Sequence, residues 1–116
     1  MAGSAKARIM PAIMTESEFH RAVDEVFERV ESSLALSDDL DLDLEGGVLK
    51  IECPDASRLI VNRQTPNREI WLAARSGGFH FAWREGQWSD TRSGEEFFAQ
   101  LARLIGEQAG ITVVWR

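Results

Sequence analysis

Apolar and polar positions follow two different rhythms along this chain, and the change of rhythm sets its organisation. Phe19, Val23, Val26, Phe27, Val30 and Leu34 recur every three or four positions, the spacing that gathers side chains on one face of a helix. Thr15-Glu16-Ser17-Glu18 opens that helix as a capping box, and Met14 and Phe19 take the two positions of a hydrophobic staple. The apolar face predicts a helix to about residue 36.

The period then drops to two. Asp39-Leu40-Asp41-Leu42-Asp43-Leu44-Glu45 alternates without a break, which predicts a strand over 39–44 with leucines on one side and acids on the other. Gly46-Gly47 turns the chain into a strand over 48–53, and Pro54-Asp55 into one over 58–63. Thr65-Pro66-Asn67 leads to 69–73, Ser76-Gly77-Gly78 to 79–83, and Glu85-Gly86 to a short piece around Trp88. Helical spacing returns at Phe97, Phe98, Leu101, Leu104 and Ile105. A second capping box, Ser93-Gly94-Glu95-Glu96, precedes it, and Gly110 stands at its C′ position. Residues 111–115 read as an apolar extended tail folded back on the core.

A helix, a run of hairpin-linked strands and a second helix make an α+β fold. The pattern predicts a two-layer α/β sandwich: an antiparallel five- to six-stranded sheet with the N- and C-terminal helices packed on one face. The opposite sheet face is left to solvent. With 44% hydrophobic residues, four Trp and six Phe, residues 14–116 are expected to form a single domain. Residues 1–13 carry no acid and no periodicity. They read as a flexible extension or a cloning remnant, with Met14 as an alternative start.

A net charge of −6 disfavours nucleic acid and anionic membrane as partners and favours cations and basic proteins. No apolar run nears the roughly 18 residues that span a bilayer. Cys53 is the sole cysteine, so neither an internal disulfide nor a thiolate zinc cluster is available, and a reduced cytoplasmic setting fits. Phosphate-cradling glycine loops and zinc motifs such as His-Glu-x-x-His are absent, so an enzyme is not expected.

The carboxylates are less ordinary. His20, Asp24, Glu28 and Glu31 follow spacings of four, four and three, which place them in a stripe about 80° wide beside the apolar helix face. Asp38, Asp39, Asp41 and Asp43 come directly after. Should the strand lie beside the helix, the two sets form one acidic ridge. Acids repeated on one strand face stand about 7 Å apart and repel one another. A solvated helix face with a charged edge strand that resists aggregation is one explanation. Weak cation binding is the other: oxygen ligands with one imidazole suit Fe²⁺, Mn²⁺, Mg²⁺ or Ca²⁺, in several shallow sites with water completing the coordination. A second patch is aromatic. Trp71 has the opposite parity to Ile70 and Leu72, so it falls on the open sheet face with Asn62, Gln64 and His80, a composition suited to protein binding.

The segment from Asn62 to Ala73, NRQTPNREIWLA, followed by SGGFHFAW over 76–83, resembles the signature of the frataxin family. The likeness covers about residues 14–110, including the acidic helix and strand and the entry to the last helix at Asp90–Glu95. Lacking a transit peptide, the chain is similar to the bacterial members. The resemblance implies a cytoplasmic protein of iron–sulfur cluster assembly that binds Fe²⁺ and Fe³⁺ weakly on the ridge and regulates assembly or supplies iron to it. It implies that the ridge docks on a basic patch of the cysteine desulfurase, and that the Trp71 face meets the scaffold protein. The implied ridge residues are His20, Asp24, Glu28, Glu31, Asp38, Asp39, Asp41 and Asp43; Asn62, Gln64, Trp71 and His80 take the sheet-face positions. Ala82 stands where relatives often carry an acid, as do Ser32 and Ser33, so fewer ions are expected. The rival readings are an acidic adaptor whose metal binding is incidental, and a ferroxidase using the ridge with His20.

Overall fold

The structure, a computed structural model, describes residues 14–116; the expectation for residues 1–13 lies outside them. Helix α1 spans Glu16–Leu34 and is capped as its sequence predicts: the Thr15 side chain accepts from the Glu18 amide, and the Glu18 carboxylate accepts from the Thr15 amide. Six strands follow, β1 (Asp41–Glu45), β2 (Val48–Glu52), β3 (Arg58–Gln64), β4 (Glu69–Ala74), β5 (Gly77–Arg84) and β6 (Gln87–Asp90), and then helix α2 (Phe97–Ala109). Their order in the sheet is their order in the chain, and every neighbouring pair is antiparallel. Gly46-Gly47 and Glu85-Gly86 close hairpins with positive φ at both central residues, the twist that matches flanking strands.

Strand parity builds the core. Leu49, Ile51, Leu59, Val61, Ile70, Leu72 and Phe81 are at most 1% exposed, and they meet the buried stripes of both helices. Full burial of such side chains stabilises by roughly 1.5–3 kcal/mol each. Phe81 meets Phe97 of α2 edge to face at 5.1 Å, and Trp88 meets Phe19 of α1 at 6.1 Å. Both helices therefore cover one sheet face.

Three local expectations are corrected. The acidic strand begins at Asp41; Asp38 and Asp39 lie in a turn before it. Its leucines share one side, but only Leu40 is buried, while Leu42 is half-buried and Leu44 is 40% exposed. At the second helix the cap is Glu96, not Ser93. The Asp90 carboxylate accepts from the amides of Arg92 and Ser93, and a bridge between Ser89 and Glu96 keeps Glu96 extended. The Glu96 carboxylate then accepts from the amides of Phe98 and Ala99 and starts α2 three residues late.

Beyond Gly110, whose φ of 71° ends α2, the tail packs back on the core. Ile111, Val113 and Trp115 turn inward. The Trp115 indole donates to the Phe98 carbonyl at 2.9 Å, and the Arg116 amide donates to Ser33 Oγ at 2.9 Å. The tail thus ties α2 to the last turn of α1. Ser33 is buried beneath it, so this position is closed to the surface and unsuited to a ridge acid.

Candidate functional site

The acids come from two layers. Asp24 and Glu28 of α1 are exposed and Glu31 is half-buried; Asp38, Asp39, Asp41 and Asp43 are all exposed. Leu42 and Leu44 pair with Ile51 and Leu49, so they take the helix side. Asp41 and Asp43, opposite Glu52 and Lys50, take the open side. Strand β1 is a sheet edge, and α1 lies over its hairpin, where Asp24, Phe27, Glu28, Leu44, Gly47 and Arg63 line a shallow depression. The ridge is therefore an acidic rim around a free edge, with acids on both sides of it. Asp41 directly faces Glu52 across the ladder, an arrangement that costs stability. Among the described residues no three of His, Cys, Asp and Glu converge at metal-binding distance. Isolated carboxylates of this kind can each give one oxygen to a hydrated cation.

Arg63 was not anticipated as a member of the site. Its guanidinium reaches from β3 to α1, where NH1 donates to His20 Nδ1 at 2.8 Å and NH2 donates to Asp24 Oδ1. It also lies over the Phe27 ring at 5.4 Å. The sequence held one signal: Arg63 has the inward parity of Leu59 and Val61, and an inward cation requires a partner. Glu16 adds a carboxylate 3.5 Å from His20 Nε2.

On the open face Asn62, Trp71 and His80 are in register across three adjacent strands. Trp71 and His80 stack in parallel, and the Trp71 indole donates to Glu69 Oε1 at 2.7 Å. The same carboxylate lies 3.9 Å from His80 Nδ1. Glu69 also pairs with Gln64 in the ladder. Trp71 is half-buried and His80 exposed, beside a depression of about 310 Å³ that Val48, Ile60 and Ala73 also line. Parity predicted the face; it did not predict Glu69, which fixes the indole. Cys53 is buried in the core. No helix among the described residues is long and apolar enough to cross a membrane.

The family model for the frataxin-like domain matches residues 12–111. The iron-sulfur cluster assembly protein CyaY of Janthinobacterium sp. is 48% identical over 107 residues, covering 87% of this chain and 96% of that protein. CyaY of Ralstonia nicotianae is 44% identical over 105 residues, covering 86% and 93%. Among solved structures, frataxin from Psychromonas ingrahamii superposes with a TM-score of 0.81 at 37% identity, covering 86% of this chain and 96% of its own. Trimeric frataxin from the yeast Saccharomyces cerevisiae, in a complex described as ferrous, superposes with a TM-score of 0.65 at 25% identity, covering 85% and 89%. Matched along most of its length in both sequence and fold, the chain belongs to the frataxin family.

Proposed function

We propose that this protein serves iron–sulfur cluster assembly by binding Fe²⁺ and Fe³⁺ weakly on the acidic rim, and that it regulates or supplies iron to a cysteine desulfurase–scaffold complex. One observation carries the reading. Glu28, Glu31, Asp38, Asp39, Asp41 and Asp43 have no Lys, Arg or His within 4.0 Å among the described residues, whereas Glu16, Asp24, Asp55, Glu69, Glu95 and Glu107 each have one. A face kept only for solubility mixes signs; an uncompensated rim attracts cations and a basic partner. The names of the bacterial relatives and the ferrous complex of the yeast relative support the same reading. The desulfurase would dock its basic patch on the rim, and the scaffold would meet the Trp71 face with Asn62, Gln64 and His80.

Without a convergent cage, sites are several and weak, with dissociation constants in the micromolar range or above. Anaerobic titration with Fe²⁺ followed by NMR, repeated with the purified desulfurase, tests the proposal. Amides between Glu28 and Glu45 should respond first, and the desulfurase should protect the same stretch. Responses centred on Cys53 and His80 would remove the rim from the reading.

A further inference from the structure

His20 and Asp24 lie one helical turn apart, the i,i+4 spacing by which two side chains on one helix face meet a single metal ion. Asp24 and Glu28 share that spacing, but only the His20–Asp24 pair adds an imidazole to a carboxylate. The geometry points to Arg63 as a resident cation that closes this pair to metal and so decides which part of the rim loads. The inference rests on the rim being a cation surface.

The chemistry is specific. A guanidinium only donates and stays charged, so the 2.8 Å contact from Arg63 NH1 makes His20 Nδ1 an acceptor. The neutral ring then carries its hydrogen on Nε2, and this nitrogen faces Glu16 Oε2 at 3.5 Å. Neither nitrogen offers a free lone pair, and a metal ion needs one. The other nitrogen of the fork holds Asp24 Oδ1, and a third contact reaches the His20 carbonyl at 3.4 Å. The Arg63 side chain is 17% exposed, against 38% for His20 and 60% for Asp24. The guanidinium therefore sits inside the two ligands and does not compete from solvent. A divalent ion would have to displace a fixed positive charge that also packs on Phe27. Among the described residues Glu28, Glu31, Asp38, Asp39, Asp41 and Asp43 carry no such occupant. Arg63 directs ions away from the start of α1 and toward the β1 end of the rim.

Zn²⁺ is a stringent probe, because it favours imidazole and is diamagnetic. Ring ¹⁵N shifts of His20 report direct coordination, and backbone amides report the rim. In the wild-type chain, amides of Glu31, Asp38 and Asp39 should shift at Zn²⁺ concentrations about tenfold below any change in the His20 ring. In R63Q the His20 ring should respond together with Glu31, with one ring nitrogen moving to the metal-bound range. Early coordination of His20 in the wild type overturns the inference, as does a folded R63Q whose order of loading is unchanged. The wild-type order decides alone should R63Q fail to fold. A rim that never responds in either protein overturns the cation reading itself, and this inference with it.

Discussion

Trp71 and His80 stack face to face across β4 and β5, with ring centroids 4.2 Å apart and planes 8° from parallel. Glu69 holds the indole hydrogen, so the large ring lies flat on the sheet with one polar edge already satisfied. A half-buried ring held in this way presents an ordered surface without forming part of the core.

Trp71→Ala should therefore cost about 1–2 kcal/mol, well under the roughly 3–5 kcal/mol for a buried Trp. Urea unfolding measures it. A loss in the upper range would place Trp71 in the core and remove the anchor of the proposed scaffold surface. The folded variant should lose scaffold binding while keeping its response to iron.

Reversal of the rim tests docking separately from folding. In the triple variant Glu28→Lys, Glu31→Lys and Asp39→Lys, a basic partner meets repulsion where it met attraction. Rim charges act chiefly through association rate and salt dependence. Surface plasmon resonance should show no desulfurase binding. Circular dichroism should show a native fold of equal or higher stability, because relieving like charges gains a few tenths of a kcal/mol per pair. Wild-type binding should weaken steeply as salt rises toward physiological strength. Unchanged affinity in the folded variant would leave the rim as a solvated face.

Acid should weaken the protein through two turn carboxylates. Burial pushes the Asp90 carboxyl up, but donors from Arg92, Ser93 and Gln100 together hold it below its ordinary value. Hydrogen bonds from Ser57, with Arg75 beside it, bring Asp55 from 3.8 down to about 2. Both folded-state values lie below the unfolded ones, so the stabilisation is present above the unfolded pKa and is lost as pH falls through the folded one. For Asp55 that window runs from 3.8 to about 2. Asp90→Ala should lose roughly 1–2 kcal/mol at neutral pH and show a shallower acid limb. Urea midpoints at neutral pH and near pH 3 compare the two limbs. An identical acid limb in the variant would exclude Asp90 from it.

The tail should matter more than its irregular backbone suggests. Trp115 donates to Phe98, and their rings meet edge to face at 5.1 Å. Trp115→Ala should cost about 2–3 kcal/mol in thermal or urea unfolding. Trp115→Phe should recover most of it, having the ring without the donor. A variant as stable as the wild type would make the tail a passive appendage.

Most of the fold was legible because it is built from local signals. Thr15 and Glu18 announce α1, the glycine pairs announce their hairpins, and the opposite parity of Trp71 and Ile70 assigns the two sheet faces. What escaped depends on contacts distant in sequence. Period two gives Leu44 a side, but it cannot say that at the sheet edge this side stays 40% exposed. Ser93 to Glu96 carries a capping signature, and Asp90 together with the Ser89 bridge overrides it. Ser33 reads as a missing acid until the tail is seen to bind its hydroxyl. Arg63 reads as one more strand residue, because nothing periodic links it to His20, 43 positions earlier.

Because sheet order repeats chain order, each strand meets its partner after only a short loop is closed. Hairpins of this kind pay little loop-closure entropy and are expected to form early. Helix α1 is made first along the chain but is anchored late: Arg63 is 43 residues away and the Arg116 contact to Ser33 spans 83. The last closure is then the docking of α1 and the tail over a meander already in place. Substitutions in the tail should accelerate unfolding and leave refolding nearly unchanged.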